Sequence, residues 1–328
     1  MMLPLHGTRV VELTTAWAGP FIGRYLGAFG ADVVKVESAS NYDLWRGPAL
    51  ADPGPDAPDD PYNHVPNFNG LNRNKRAISL DLATAAGHET LLRLVGVAGV
   101  VITNFTVRAA TNLRLHYAEL AAVRPDLVMV FMPAMGASGP YAGAVGYGTI
   151  IEGMAGFAER FGYSHEDARV STTYFPDAVA GIHGTLAVLA GLAHRQRTGE
   201  GLYLDVSQQE ALWLQLGEGI VQQSLIGRAP GRMGNAEPGC APSGIYPTRD
   251  ARWLALVVRT QGEFDRLARA IGDELARFAG DDLAARVRQR AALDAAVAGW
   301  SGRQTLAEAL EHLAAPGVRV RVVNTYRE

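Results

Sequence analysis

The chain has 328 residues, more than one ordinary hydrophobic core accommodates, so about two domains are expected. Its 48% hydrophobic and 19% charged residues and net charge of −3 describe a globular protein, with nothing that calls for nucleic acid or an anionic membrane as partner. A single cysteine, Cys240, excludes an internal disulfide; no basic–apolar leader and no apolar run of bilayer length is read, so a cytoplasmic location is expected.

Residues 8–13 form a β-branched run, residues 21–29 carry apolar side chains at helical spacing, Gly30 is a helix stop, and residues 33–37 read as a second strand. The rhythm repeats with a strand at 77–82, a helix at 85–95, a strand at 100–104, a short helix at 117–123 and a strand at 127–132. Such alternation predicts an α/β fold, a Rossmann-like parallel sheet with helices on both faces. Prolines and glycines across 48–69 break the pattern and predict a surface loop or lid. A long apolar helix is expected over 178–195, with Asp177 as its N-cap. A second Gly/Pro-rich break spans 227–244. Beyond it a strand pair (245–247 and 253–258), helices near 262–272, 283–299 and 304–314, and a last strand at 318–323 predict a smaller α+β domain. The expected organisation is 1–226 for the large domain, 227–244 for the linker, and 245–328 for the small domain.

Gly19, Gly23 and Gly27 are spaced four apart, so they share one helix face and allow close approach of a neighbour. The preceding turn, Thr14-Thr15-Ala16-Trp17-Ala18-Gly19-Pro20, lacks the G-x-G-x-x-G of a pyrophosphate turn, which weighs against a nicotinamide or flavin enzyme. Asn72-Arg73-Asn74-Lys75-Arg76 reads either as a solvated loop or as a cation cluster suited to a phosphate-bearing ligand. Asn104 and Phe105, at the end of a strand, occupy the place where open α/β sheets present ligand contacts.

The histidines do not pair at metal-ligand spacing with one another or with Cys240, so no metal site is expected, and no G-x-S-x-G elbow is present. Cys240 reads as a turn residue. A carboxylate remains as candidate nucleophile. With a reference pKa near 3.9, Asp177 is ionised at neutral pH without a general base. It is able to attack a thioester, expelling a thiolate and leaving a mixed anhydride that survives only where water is excluded. Simple capping is the alternative role for Asp177.

These residues resemble the class III CoA-transferases, typified by formyl-CoA transferase and carnitine CoA-transferase, a superfamily shared with the α-methylacyl-CoA racemases. The similarity runs from Leu5 to about Tyr326. It is carried by Gly7-Thr8-Arg9-Val10-Val11-Glu12-Leu13, Ala18-Gly19-Pro20, the segment from Gly30 to Glu37, Asn72-Arg73-Asn74-Lys75-Arg76 and Asn104-Phe105. Further on come Ser138-Gly139-Pro140-Tyr141, Arg197-Thr198-Gly199-Glu200-Gly201 and Gly234-Asn235. The resemblance implies acyl transfer through an aspartyl anhydride and an aspartyl-CoA thioester on Asp177. It implies CoA contacts from Ala18, Lys75, Asn104 and Phe105, coenzyme A and acyl-CoA as substrates, and no tightly bound cofactor. It also implies an interlocked homodimer, or pairing with a second homologous subunit.

The departures are specific. Trp17 stands where formyl-CoA transferase has glutamine, and with Tyr147 it implies an acyl group bulkier or more apolar than oxalate. The family arginine after Asn104-Phe105 is replaced by Asn112, leaving Arg108 or Arg114 to compensate. The glycine loop over the aspartyl intermediates falls at Glu237-Pro238-Gly239-Cys240, placing Gly239 at the substrate pocket. Racemases carry a histidine where this chain has Gly146-Tyr147-Gly148, which disfavours racemisation. The chain stops at Glu328, short of the segment that returns to the large domain in such enzymes. The alternatives to a transferase are therefore an α-methylacyl-CoA racemase and a catalytically silent subunit of a heteromeric transferase.

Overall fold

The computed structural model describes residues 2–47 and 58–328, so most of the proline-rich core of the expected 48–69 loop lies outside the described residues. The chain divides into two compact units, residues 1–159 with 168–230, and residues 160–167 with 231–328.

The first unit is built on a six-stranded sheet comprising β1 (Arg9–Leu13), β2 (Asp32–Glu37), β3 (Lys75–Ser79), β4 (Val100–Thr103), β5 (Val128–Phe131) and β6 (Leu202–Asp205). Every neighbouring pair is parallel and the order is β3-β2-β1-β4-β5-β6. Around it lie α1 (Ala18–Ala28), α2 (Pro66–Leu71), α3 (Ala85–Gly96), α4 (Val107–Asn112), α5 (Tyr117–Val123), α6 (Gly148–Ala155) and α7 (Phe157–Arg160). The long helix α8 (Phe175–Thr198) precedes β6, and α9 (Gln208–Trp213) and α10 (Gly217–Ile226) follow it.

The central strands are apolar throughout because both faces are covered. Val10, Val100, Val128 and Val130 pack with Ile22 and Leu26 of α1 and Val188 of α8. Val11, Val101 and Met129 point the other way, against Leu91 and Val95 of α3 and Leu120 of α5. On α8, glycine replaces bulk where helices touch. A Cβ at Gly181 would stand 2.4 Å from that of Phe21, and one at Gly184 2.4 Å from Cδ1 of Ile22. Gly199 ends the helix in a left-handed conformation, φ 76°, its N–H donating to Arg195 O.

Several expectations are adjusted. The helix α8 begins three residues earlier than predicted, so Asp177 lies in its first turn and Tyr174 is the N-cap. Pro176 suits that first turn, where its missing N–H removes no intrahelical bond. Strand β3 starts at Lys75, not at residue 77, because Lys75 turns its charge inward to partners the sequence does not reveal. Within the expected loop, α2 forms behind Pro66. By length and composition α8 is apolar enough to cross a bilayer, contrary to the reading that no such run exists; half of that stretch is buried inside the protein.

The second unit carries an antiparallel sheet of β7 (Ser243–Pro247), β8 (Trp253–Val257) and β9 (Val320–Val322). The helices are α11 (Gln261–Ile271), α12 (Leu283–Arg288), α13 (Arg290–Ser301) and α14 (Leu306–Ala314). The helix expected over 283–299 is therefore two helices, interrupted at Gln289. Thr260 and Thr305 open α11 and α14 with capping boxes closed by Glu263 and Glu308. Arg286 is fully buried; it donates to Ala241 O and Asp281 O and stacks 4.2 Å over Phe264.

Candidate active site

The strand order reverses between β1 and β4, and open parallel sheets bind ligands beyond the carboxyl ends of their strands at such a reversal. Here the two strand ends are joined by a reciprocal amide pair. The Thr15 N–H donates to Asn104 Oδ1 at 3.0 Å, and Asn104 Nδ2 donates to Thr15 O at 2.9 Å. Ala16, next in the β1–α1 turn, is left-handed at φ 62°, a conformation that costs a non-glycine residue ~1–2 kcal/mol. Strain of this kind persists where the surroundings over-determine it.

A groove of about 500 Å³ opens at this edge. Thr14, Asn104, Phe105, Tyr147, Asp177 and Gln208 are among its walls, and no histidine is found in its lining among the described residues. Asp177, Asn104, Phe105 and Tyr147 are thus brought together by the fold.

Asp177 is 8% exposed, and burial lifts its carboxyl from the ordinary range to about 6. The backbone amides of Ala18 and of Asp177 itself oppose that rise, and the charge of Glu152 adds to it. Its Oδ2 has no hydrogen-bond partner among the described residues. That oxygen lies against α6, where a Cβ on Gly148 would stand 2.5 Å from it. Only glycine leaves room for the carboxylate here. Ala18 therefore meets Asp177 through its backbone, as the first residue of α1.

Lys75 takes a different place from that of a ligand-facing cation. Its Nζ donates to Glu12 Oε1 at 2.8 Å, Pro20 O at 2.9 Å and Asn72 Oδ1 at 2.9 Å, which engages all three of its donors. Burial lowers its pKa to about 8, against the opposing pull of Glu12. Lys35 joins the same cluster, donating to Thr14 O at 2.8 Å and pairing with Glu12 at 3.4 Å and Asp43 at 3.1 Å. Two cations and two carboxylates thus balance inside the protein. Of the remaining cations in the Asn72–Arg76 motif, Arg76 binds Asp32 and Arg73 is exposed. The glycines of α1 admit this cluster: a Cβ on Gly23 would stand 1.7 Å from Glu12 Oε2, and one on Gly19 2.7 Å from Asn104 Cγ.

Trp17 packs with Trp45 (ring centroids 5.8 Å), Phe21 (5.8 Å) and Tyr174 (5.4 Å), forming an aromatic wall at the entry to α1 and α8. Tyr174 is itself left-handed at φ 49°. Tyr147 is 55% exposed at the N-cap of α6. Gly239 belongs to the second unit, at φ 70°, and the groove lining described above lies wholly in the first. Arg114, one of two arginines expected to compensate at Asn112, is held by Glu119. Sequence reasoning missed Glu152, which is fully buried and accepts from both the N–H and the hydroxyl of Ser171. A glutamate in an otherwise apolar helix, Thr149-Ile150-Ile151-Glu152-Gly153-Met154, is the signal that marks it.

An open parallel sheet with a buried carboxylate at its switch point defines a class of α/β enzyme rather than one reaction. The sequence narrows it: residues 5–328 match CoA-transferase family III, and the chain belongs to that family. It is 33% identical over 309 residues to the succinate–glutarate CoA-transferase of Agrobacterium fabrum, across 92% of this chain and 76% of that protein. It is 30% identical over 314 residues to the succinyl-CoA–L-malate CoA-transferase beta subunit of Chloroflexus aurantiacus, across 94% of this chain and 75% of that one. A solved CaiB/BaiF family protein from Brucella suis has the same fold at a TM-score of 0.86 and 32% identity, covering 100% of this chain and 85% of that chain.

Proposed function

We propose that the protein transfers coenzyme A from an acyl-CoA thioester to a free carboxylic acid, with Asp177 as nucleophile. The observation that carries this reading is the buried Asp177 carboxylate, which has one unpaired oxygen in the wall of the switch-point groove, whereas Asp43, the other buried carboxylate of that lining, is held in an ion pair with Lys35. The Asp177 carboxylate attacks the thioester carbonyl; the C–S bond breaks and CoA leaves as thiolate, giving a mixed anhydride. The thiolate then attacks the aspartyl carbonyl, releasing the donor's carboxylate and forming an aspartyl-CoA thioester. The acceptor carboxylate attacks that thioester, and the thiolate released attacks the acceptor's acyl carbonyl, regenerating Asp177. Each step needs an apolar, water-poor site, in keeping with the burial of Asp177.

Asn104 and Phe105 line the groove proposed for CoA, Ala18 presents its backbone to the nucleophile, and Lys75 acts indirectly by fixing Glu12 under α1. Trp17 and Tyr147 are proposed to bound the acyl pocket. Because the relatives are named for succinate, glutarate and malate, succinyl-CoA with a short dicarboxylic acid is the first pair to test. A groove lining without histidine speaks against racemisation, which needs a second proton-transfer group at the α-carbon. A homodimer, or a dimer with a homologous subunit, is the proposed assembly, the latter prompted by the relative named as a beta subunit.

The test is chemical trapping. Incubation with succinyl-CoA followed by hydroxylamine or borohydride should modify Asp177, as read by peptide mass spectrometry, and leave Asp177→Asn unmodified. An unmodified Asp177 across a broad thioester panel would falsify the nucleophile assignment and favour a silent subunit.

A further inference from the structure

Among the described residues, Glu152 is the charged side chain whose field bears on Asp177, and the reading above gives it no role. It sits one helical turn after Gly148, and residues four apart share a helix face. That face of α6 therefore touches the nucleophile and the segment that leads to it. At Gly148 it abuts Asp177 Oδ2, and at Glu152 it grips Ser171, in the segment that delivers Asp177 to the groove.

Ser171 is 6% exposed and gives both its backbone N–H and its hydroxyl to the two oxygens of Glu152. Its Oγ also lies 3.3 Å from Thr173 Oγ1. Tyr174 follows in the left-handed region, and its carbonyl accepts the N–H of Asp177 at 3.1 Å. The short path from Ser171 to Asp177 is thus pinned at its start by Glu152 and at its end by the first turn of α8.

We propose that Glu152 is a positioning residue for Asp177: it holds the lead-in to α8 through Ser171 and carries its charge on the face of α6 that abuts the nucleophile. The inference rests on the transferase reading of Asp177. Of the other groups that share the groove lining with Asp177, Tyr147 on α6 and Gln208 on α9 are neutral, Asp43 pairs with Lys35, Glu37 pairs with Arg46, and Asp81 accepts from the Ala83 N–H; the Ala18 amide on α1 meets Asp177 itself.

Glutamine separates the two parts of the role. In Glu152→Gln the side-chain oxygen still accepts the Ser171 N–H, and the amide nitrogen donates to the Ser171 hydroxyl, while the charge is gone. In Glu152→Ala both bonds are lost and a buried N–H is left without a partner.

The experiment is the rate of Asp177 labelling by succinyl-CoA as a function of pH, with the wild type run first. Glu152→Ala is expected to label about 100-fold more slowly, the loss that follows a misplacement of about 1 Å. Glu152→Gln is expected within about threefold of wild type at pH 8, since both bonds to Ser171 survive, with its labelling midpoint moved to lower pH. A merely structural Glu152 would leave that midpoint in place. An unlabelled wild type overturns the nucleophile reading and this proposal with it. A labelled wild type with equally labelled Glu152→Ala overturns this proposal alone. If Glu152→Ala does not fold, an unchanged midpoint in Glu152→Gln overturns it.

Discussion

Gly148 and Asp177 meet so closely that the glycine's missing side chain is what gives the carboxylate its place. An added Cβ would stand 2.5 Å from Oδ2, well inside van der Waals contact. Gly148→Ala is expected to keep the fold, because Gly148 is the first residue of α6 and alanine suits a helix. The displaced carboxylate should react about 100-fold more slowly with a thioester. Labelling kinetics beside a circular dichroism melt check both halves of the prediction.

The raised pKa of Asp177 fixes the direction of its pH dependence. In the proposed mechanism the carboxylate is the reacting form, so the pre-steady-state acylation rate should fall as pH drops through about 6 and level off above it. Stability follows the opposite sense. A carboxyl whose folded pKa exceeds its unfolded value of 3.8 binds protons more readily when folded, so its contribution becomes unfavourable as pH rises from about 4 to 6 and stays so above. At pH 7.5 Asp177→Asn should therefore raise unfolding free energy by on the order of 3 kcal/mol, with the gain vanishing near pH 4. Urea unfolding of both proteins at the two pH values measures it.

Asn104 both gives and accepts at Thr15, and aspartate is able only to accept. Asn104→Asp should open the join between the β1 and β4 ends by setting two acceptors against each other. The expected result is a KM for the acyl-CoA raised about tenfold or more, in line with the ~1–3 kcal/mol of an unsatisfied polar group. Asn104→Ala should fall between this variant and wild type in steady-state kinetics.

Removing the Glu12 charge leaves Lys35 and Lys75 sharing Asp43 as their one carboxylate in the cluster. Glu12→Gln should destabilise the first unit by about 3–5 kcal/mol, the usual result of breaking a buried pair. Adding Lys75→Met should recover part of that loss, because one uncompensated buried charge is then gone. Denaturant unfolding of the wild type, both single variants and the double variant forms the cycle that tests it.

The strands β1, β2, β4 and β5 are legible because they are short valine-rich runs that alternate with helix-length segments and turn residues. Strand β6 was not: Leu202-Tyr203-Leu204-Asp205 is short, half exposed and at the sheet edge, so its pattern carries little signal. The start of β3 was obscured by Lys75 and Arg76, whose charges look like a loop until their partners Glu12 and Asp32 are seen. Those partners lie 63 and 44 residues away, beyond the reach of any local pattern. Asp177, Asn104 and Phe105 could be singled out because their chemistry or strand-end position is local. Glu152 could not be linked to Asp177, since only the packing of α6 brings them together. The spacing of the α1 glycines marks close packing, but the sequence does not show that their neighbours are the polar residues Glu12, Thr14, Asn104 and Asn74.

That glycine face has a bearing on redesign. A side chain at Gly19 or Gly23 would drive the Asn104 amide or the Glu12 carboxylate out of position, so this face of α1 offers no latitude for redesign. Variation belongs at Val145 and Tyr147, which line the groove and are each 55% exposed. On the proposed reading, a library confined to those two positions would alter the volume offered to the acyl chain while the helix bearing Ala18 stays seated. Selection for new acids is then separated from selection for folding.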